Sequence, residues 1–533
     1  MAQNSLAPAK EDVDDVAKLL LNNNPPTGSQ ANSILNALPL LSNQLEETER
    51  TIHLQDRSMA RLKEHRDAIT LKISCYQRLL HPIRAIPDDV LRNIFQCYAD
   101  EIVVETPLAF RDSLDPDHDT VWKLAQVSYL WREVALSSPS IWSDVAIRLP
   151  STLRCGLTFE RMRNRLTIHL MRAKTGPLTI SLHAECKHRF AIPFIATIAS
   201  HSERIVDLRL MPKRDNLSFI ESMSAMTTGL LPALKRLTIN LGTSARQLYP
   251  CVTGFSIAPR LCDITVVGDT SNLSFIIELP WDQIVRFRSY FDCAFAVTEN
   301  PYLFLPEMTN LQELYTRRVV SYDMSDDRNT SIPFTTLHHL RKLCLQTGNG
   351  GAPAANALLG RIDLPNIQEL ELHVLALTDA LRGFLSRHSS TIVSFLVKPL
   401  GYSMDTCTAT IIGCIALLPG LRTFAAHSVS QAVINALSEL ESNTKMPTLI
   451  PDLRYLKLCT GLKLGDGERL VQMVKARSGT LQCIVLHADV VPTLGGAIVD
   501  QLRELMAQGL LFEDLRDCLP SSLVGLVDVE AYE

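Results

Sequence analysis

The sequence predicts an α/β protein in which a long N-terminal helix and a small α-helical module precede an irregular solenoid of strands and helices. Apolar residues repeat about every 3.5 positions between residues 38 and 80, and three tryptophans crowd a helical segment at residues 122–142. A short strand motif then recurs from residue 178 to residue 486. The 533 residues are 46% hydrophobic and 20% charged, a composition typical of a folded chain with several structural units.

Charge, hydropathy and cysteine usage narrow the class of protein. A formal net charge of −5 gives no basis for nucleic-acid binding, and no apolar run approaches the ~20 residues that a membrane span needs. The 13 cysteines never form a Cys-x-x-Cys pair, which favours small buried hydrophobes in a reducing compartment over zinc ligands. We therefore expect a cytoplasmic and/or nuclear protein without nucleic-acid or membrane partners.

The N-terminal part is predicted to form a flexible tail over residues 1–33 and a long helix over residues 34–81. Stepping alternately by three and four residues meets an apolar side chain at ten of thirteen positions. These positions are Leu38, Leu41, Leu45, Thr48, Ile52, Gln55, Met59, Leu62, Arg66, Ile69, Ile73, Tyr76 and Leu80. The heptad pattern predicts a coiled coil, in which residues 38–80 pair with a second copy or with another protein's helix. The alternative interpretation is an amphipathic helix that lies on its own domain.

The segment 82–148 begins with a helix start. Pro87 suits the first helical turn, and the following residues, Asp88 and Asp89, favour the positive end of the helix dipole. Val90, Leu91, Ile94 and Phe95 then form an apolar stripe. A second helical pattern covers residues 121–136, and the segment closes with Ile141 and Trp142. Because tryptophan is enriched at interface hot spots, the crowding of three of the four tryptophans here predicts a partner surface.

In this order, the elements resemble an F-box domain. F-box domains typically open with Leu-Pro-x-Glu-x-Leu-x-x-Ile-Phe, continue with a helix that ends in tryptophan and a basic residue, and finish with a tryptophan. The matching elements here are Ile86–Phe95, Trp131-Arg132 and Trp142. The chain is most similar to the large fungal F-box group in which a long helix precedes the box.

The resemblance implies that this segment docks on a Skp adaptor, which a cullin scaffold holds. The residues that match the docking motif are Pro87, Val90, Leu91, Ile94, Phe95, Val127, Leu130, Trp131, Val134 and Trp142. Two features depart from the family pattern. Ser128 stands where many members have cysteine, and an insertion near 96–120 carries the acidic loop Asp112–Asp119. The insertion is either a solvated loop or an element that weakens docking.

Beyond Pro150 the motif apolar-x-x-apolar-x-apolar recurs. Its middle residues are Ile180, Leu208, Leu237, Ile264, Phe287, Leu314, Leu343, Leu370, Phe395, Phe424, Leu456 and Ile484. Successive copies lie 23 to 32 residues apart, and helical stretches lie between them, which is similar to a leucine-rich repeat. We therefore expect a leucine-rich-repeat-like solenoid with a parallel sheet over residues 170–510, and a cap or tail over residues 511–533. Chance recurrence in a leucine-rich α/β domain is the other interpretation.

A solenoid offers a long surface to a protein target, formed by polar residues between the strand hydrophobics. The candidate target-binding residues are Lys235, Arg236, Asp263, Arg341, Lys342, Gln368, Glu369, Arg454 and Lys457. With the F-box resemblance, they predict a substrate receptor that links a protein target to a Skp-cullin-F-box ubiquitin ligase. The alternative function is a coiled-coil and repeat scaffold that works outside any ligase.

No catalytic, cofactor or metal motif is evident in the sequence. Gly348–Gly351 lacks the lysine and serine of a phosphate loop and is predicted to be a turn. His338 and His339 have no cysteine or spaced third ligand near them, so they are interpreted as a surface pair. We expect an adaptor without an enzymatic activity, a cofactor or a metal of its own.

Overall fold

The structure is a computed structural model that describes most of the chain between residues 26 and 514. The described ranges are 26–79, 82–100, 120–151, 157–213, 216–227, 229, 231–242, 252–268, 273–291, 304–318, 334–347, 352–374, 376–399, 404–427, 429–440, 447–458, 467–486, 496–506 and 510–514. Most of the predicted tail, most of the insertion with its acidic loop, the Gly348–Gly351 turn and most of the C-terminal segment lie outside these ranges. The chain divides into two compact units, Met1–Pro87 and Asp88–Glu533.

The first unit contains one long helix, α1, which spans Gly28–Leu79. The predicted long helix is therefore confirmed, but it begins six residues before residue 34, inside the predicted tail. The reason is local, because the Thr27 N–H donates to Gln30 Oε1 at 3.0 Å and thereby satisfies a helix-terminal group. The apolar heptad side chains of α1 that the structure describes are 43% to 63% exposed.

Among the described residues, three short helices and a turn open the second unit. Their bounds are Asp88–Asp100 for α2, Thr120–Val127 for α3, Tyr129–Ser137 for α4 and Pro139–Trp142 for a 3-10 turn. We call them the box helices. Helix α2 packs against both α3 and α4.

Fourteen parallel strands form one large sheet within the described ranges. Its strands are β1 Asp144–Leu149, β2 Leu178–Ala184, β3 Ile205–Pro212, β4 Arg236–Gly242, β5 Asp263–Gly268, β6 Arg286–Phe291, β7 Glu313–Arg318, β9 Lys342–Thr347, β11 Glu369–Val374, β12 Ser394–Pro399, β13 Thr423–Ala426, β14 Tyr455–Leu458, β15 Cys483–Leu486 and β16 Leu511–Asp514. Two short strands, β8 Thr335–Thr336 and β10 Ile362–Asp363, form a separate pair. The protein is thus α/β, as predicted.

The strands of the large sheet pair in chain order, each with the strand before it and the strand after it. The twelve predicted middle residues occupy one continuous row of paired positions, from Ile180 on β2 to Ile484 on β15. All twelve are at most 2% exposed. Val145 and Phe512 extend the row at its two ends, so the sheet passes both predicted limits, 170 and 510.

A repeated hydrogen-bond pattern fixes this register. The Lys235 carbonyl accepts the N–H groups of Cys262 and Asp263, each at 3.1 Å. The same pattern recurs at every following junction through β15, and in the last one the Arg454 carbonyl accepts from Gln482 and Cys483. Because a carbonyl at each strand entrance accepts two N–H groups of the next strand, the two residues before each middle residue must stay beside their counterparts on the next strand.

Helices connect many of the strands. They are α5 Leu157–Arg172, α6 His188–Ala199, α7 Asn216–Thr227, α8 Leu273–Ile276, α9 Ala352–Arg361, α10 Asp379–Arg387, α11 Met404–Ala416, α12 Gln431–Ser438, α13 Gly467–Ala476 and α14 Gly496–Met506. Each of α10, α12 and α13 buries one apolar stripe, as an amphipathic helix on a sheet should. Within the described ranges, no helix has the length and apolarity to cross a bilayer.

Candidate partner-binding surfaces

Local sequence explains the arrangement of the box helices. Asp88 and Asp89 lie in the first turn of α2, where carboxylates stabilise the helix dipole. Ser128 is the N-cap of α4, and its hydroxyl accepts the Trp131 N–H at 3.2 Å. The serine that departs from the family pattern therefore has a structural role in this chain.

Helix α2 carries two adjacent apolar stripes, of which one is buried and the other is exposed. Leu91 and Phe95 are completely buried. Val90, Ile94 and Tyr98 are 43%, 44% and 40% exposed. Because residues four apart lie on one helix face, the second stripe is a continuous apolar surface that the described chain leaves in contact with water.

The exposure of Trp131 on α4 is intermediate between those of the buried and the exposed stripes. The ring centroid of Trp131 is 5.0 Å from that of Phe95, and its side chain is half-buried. Leu130 beside it is also half-buried, whereas Val127 at the end of α3 is 59% exposed. Tyr129, which was not among the residues predicted from the sequence, is 73% exposed. We call Val90, Ile94, Val127, Tyr129 and Trp131 the box surface.

Trp142 has a different environment. It is fully buried, and its indole N–H donates to the Ala135 carbonyl at 2.8 Å. Its ring meets Trp122 edge-on at 5.2 Å and His169 at 5.0 Å. The guanidinium of Arg172 lies 4.4 Å from the Trp142 ring centroid and 4.3 Å from that of Trp122, a double cation–π contact. This aromatic cluster joins the box helices to α5.

The ten predicted adaptor-binding residues thus divide into two groups. Those accessible from outside are Pro87, Val90, Ile94, Val127, Leu130 and Trp131. Those buried are Leu91, Phe95, Val134 and Trp142. The buried four hold the helices together, and only the accessible six are placed to touch another protein in this conformation.

His169 makes the aromatic cluster sensitive to acid. It is fully buried, neither ring nitrogen has a hydrogen-bond partner among the described residues, and burial with nearby Arg172 lowers its pKa to about 3. The folded state therefore excludes a proton that the unfolded state binds below pH 6.5. Folding stability is lost as pH falls from 6.5 towards 3, by about 1.4 kcal/mol per pH unit from this residue.

We expect His169→Phe to remove that contribution. In urea unfolding at pH 7.5, 6.5, 5.5 and 4.5, the wild type should lose stability relative to the variant below pH 6.5. His183 and His427 also have lowered pKa values, so only the difference between the two proteins isolates His169. Parallel pH profiles would contradict the assignment.

A row of alternating charges crosses the sheet on the positions that precede the middle residues. We call it the charge row, and its members are Asp207, Arg236, Asp263, Arg286, Glu313, Lys342 and Glu369. Neighbours form ion pairs across strands. Arg236 Nε lies 2.9 Å from Asp207, Arg286 Nε lies 3.1 Å from Glu313, and Lys342 Nζ lies 3.1 Å from Glu369.

Four predicted target-binding residues belong to the charge row, namely Arg236, Asp263, Lys342 and Glu369. Each of them is neutralised by an oppositely charged side chain on a neighbouring strand. Asp263 is only 5% exposed and also receives Arg288 NH1 at 3.0 Å. The other five candidates lie apart from the row. Lys235, Arg341, Gln368 and Arg454 are exposed at strand entrances, and Lys457 is half-buried on β14.

On the C-terminal strands, and just before them, lie positive charges that form no such cross-strand ion pair within the described ranges. Their carriers, which we call the cationic group, are Lys398, Arg422, Arg454 and Lys457. The positions that alternate with the middle residues on β12–β14 hold no carboxylate. The pKa of His427 is lowered to about 4, first by burial and then by Lys398 among nearby charges. Lys398 and Arg422 were not among the residues predicted from the sequence, although the strand period would have placed Lys398 on the side opposite Phe395.

A polar cluster on β9 and β11 has the residue types of a thiol-dependent site but not its chemistry. Glu371 Oε1 accepts from Gln346 Nε2 at 3.1 Å and lies 3.4 Å from His373 Nε2. Cys344 is 1% exposed, and burial together with Glu371 raises the pKa of its thiol well above the usual range. A thiol held protonated is a poor nucleophile, so this cluster gives no support to catalysis. Within the described ranges, no group of three or more His, Cys, Asp or Glu side chains is arranged to hold a metal ion.

Comparison with known proteins adds no family assignment. A scan against protein-family models finds no match, and a search of curated proteins finds no significant match.

Proposed function

We propose that this chain is an F-box substrate receptor that links a protein target to a Skp-cullin-F-box ubiquitin ligase. The observation that carries the proposal is the apolar stripe of Val90 and Ile94, which stays exposed on α2 directly after the Pro87-Asp88-Asp89 helix start. A soluble protein exposes such a stripe at a cost unless a partner covers it. Trp131, whose ring contacts Phe95 of α2, and the exposed Tyr129 are of the residue types that dominate binding energy at interfaces.

The large sheet supports the second half of the proposal, in which a leucine-rich-repeat-like solenoid presents the target. Its strands pair strictly in chain order, with one strand from each repeat. Each repeat can therefore stack on the repeat before it, as in an open solenoid. We place target binding at the cationic group, because no described carboxylate on a neighbouring strand neutralises its charges as the charge row is neutralised. An acidic segment of a protein target fits this surface. The location that this function requires is cytoplasmic or nuclear.

The proposal is tested by purifying the tagged chain from cells that co-express a Skp adaptor and a cullin. Both should co-purify in stoichiometric amounts. A second preparation with Arg454→Glu and Lys457→Glu should keep the adaptor and lose the target proteins that accumulate when the proteasome is inhibited. A folded chain that purifies without the adaptor would contradict the ligase function.

The scaffold function is the second candidate, and the exposed heptad side chains of α1 favour it. A chain that self-associates without binding an adaptor would fit that function.

A further inference from the structure

Helix α1 exposes a seam that one copy of the helix cannot bury. Its apolar members that the structure describes are Leu38, Leu41, Leu45, Ile52, Met59, Leu62, Ile69, Ile73 and Tyr76. Each is at least 43% exposed. A seam repeated every 3.5 residues matches the knobs-into-holes packing of a second, supercoiled helix. The polar members, Thr48, Gln55 and Arg66, then decide which helix fits and in which direction.

We propose that α1 pairs with α1 of a second copy in an antiparallel two-stranded coiled coil whose twofold axis passes between Ala60 and Arg61. The charges and polar residues of α1 itself select this partner, this direction and this register. The inference concerns self-association and goes beyond adaptor binding.

A parallel, in-register pair is disfavoured by the seam. It would place Arg66 against Arg66 of the second copy and Gln55 against Gln55 in a dehydrated layer. Two guanidinium groups facing each other repel, and the pattern offers no acidic residue on the flanking positions beside them to offset this. The flanking pairs of a parallel arrangement also bring no opposite charges together, since Asp56 would meet Thr51 and Lys63 would meet Ser58.

The antiparallel register removes these conflicts. Arg66 faces Gln55 of the second copy, so the two most polar seam residues share a layer. The remaining layers, each present twice, pair Met59 with Leu62, Ile52 with Ile69, Leu45 with Tyr76 and Ile73 with Thr48. Within its own helix Arg66 is bonded to Asp67 Oδ1, at 2.7 Å from NH2. The guanidinium can therefore stay at the edge of the seam while its aliphatic part packs inside.

Charges beside the seam fix the register. In the proposed alignment Asp56 lies beside Lys63 of the second copy, and symmetry repeats this pair. Shifting one helix by a heptad would instead place Asp56 beside Asp56 and Arg66 opposite Thr48. Opposite charges on flanking positions set partner choice and orientation in coiled coils, so the shifted register is the poorer one.

The arrangement determines where the chain continues from each end. The C-terminal ends of the two α1 helices lie roughly 37 residues apart along the coil, or roughly 55 Å at 1.5 Å per residue. The box helices of the two copies are therefore connected to opposite ends of the coiled coil.

Pulsed electron paramagnetic resonance on the full chain distinguishes the two directions. A nitroxide label on Cys75, which is exposed on α1, is used in a Cys97→Ser background. The antiparallel pair predicts a distance of roughly 44 Å, from roughly 29 residues of offset, whereas a parallel pair predicts about 10–20 Å. The Cys75→Ser protein supplies the signal from labels elsewhere. A short distance, or no dimer in sedimentation equilibrium at tens of micromolar protein, would overturn the proposal.

A charge swap tests the register independently. Lys63→Glu places a second carboxylate beside Asp56 and should weaken the dimer on the order of tenfold, and adding Asp56→Lys should restore the wild-type dissociation constant. In a parallel pair these two positions never meet, so Asp56→Lys would not compensate for any effect of Lys63→Glu. Circular dichroism confirms that each variant keeps its helix content. Adaptor capture by the variants is expected to be unchanged, which separates this test from that of the proposed function.

Discussion

Ile94→Asp together with Val127→Asp should abolish binding of a Skp adaptor while the protein stays folded. The two side chains are 44% and 59% exposed, so a carboxylate is well solvated at both sites in the free protein. In the complex each carboxylate would replace an apolar contact with a buried charge. Losing two hot-spot contacts of about 2 kcal/mol or more each corresponds to at least a several-hundred-fold weaker complex.

The matched control makes the same chemical change outside the box surface. Ile257 and Met171 are 61% and 68% exposed, and their replacement by aspartate should leave adaptor binding within about twofold of the wild type. Isothermal titration of each purified variant with the adaptor gives the comparison. Equal loss in the box variant and in the control would mean that general charge, and not this surface, governs binding.

Trp142→Ala should destabilise the protein by about 3–5 kcal/mol, far more than Trp131→Ala. Trp142 is fully buried, and its removal leaves the Ala135 carbonyl without its 2.8 Å donor and Arg172 with one aromatic face instead of two. Trp131 is only half-buried against Phe95, so its truncation should cost little stability but much adaptor affinity.

The two tryptophans can be separated by measuring stability and binding on the same variants. Urea unfolding is followed by circular dichroism, because removing a tryptophan changes the fluorescence signal itself. Hydrogen exchange of α3, α4 and α5 shows where the stability is lost. Trp142→Phe should fall between the wild type and Trp142→Ala, because it keeps an aromatic ring, although a smaller one, and loses the N–H donor. The structural role of Trp142 would be contradicted if its truncation cost no more stability than that of Trp131.

The periodic part of the fold could be predicted from the sequence. Middle residues such as Leu237 and Ile264 are apolar because the sheet buries them, and the spacing between copies gives strand order directly. The predicted start of α1 lies too late in the chain, because the bond between Thr27 and Gln30 that begins the helix spans only three residues and falls in a breaker-rich stretch.

Which side chains of the box helices are buried could not be predicted, because burial depends on contacts with residues distant in the sequence. Trp142 matches the docking motif as well as Trp131 does, and it differs in its bond to the Ala135 carbonyl and in the packing of His169 and Arg172 from α5. For the same reason, the charge row could be predicted only in part. Arg236 and Asp263 were recognised as polar strand residues, but their neutralisation requires the register that pairs them with each other and with Asp207 and Arg286.

The decisive experiment for the ligase function is titration of the purified 533-residue chain with a purified Skp adaptor. We expect a one-to-one complex per chain with a micromolar or tighter dissociation constant, which is lost with Ile94→Asp and Val127→Asp and kept with the Ile257 and Met171 control. No binding by a wild-type chain whose circular dichroism shows the folded α/β protein would contradict the ligase function.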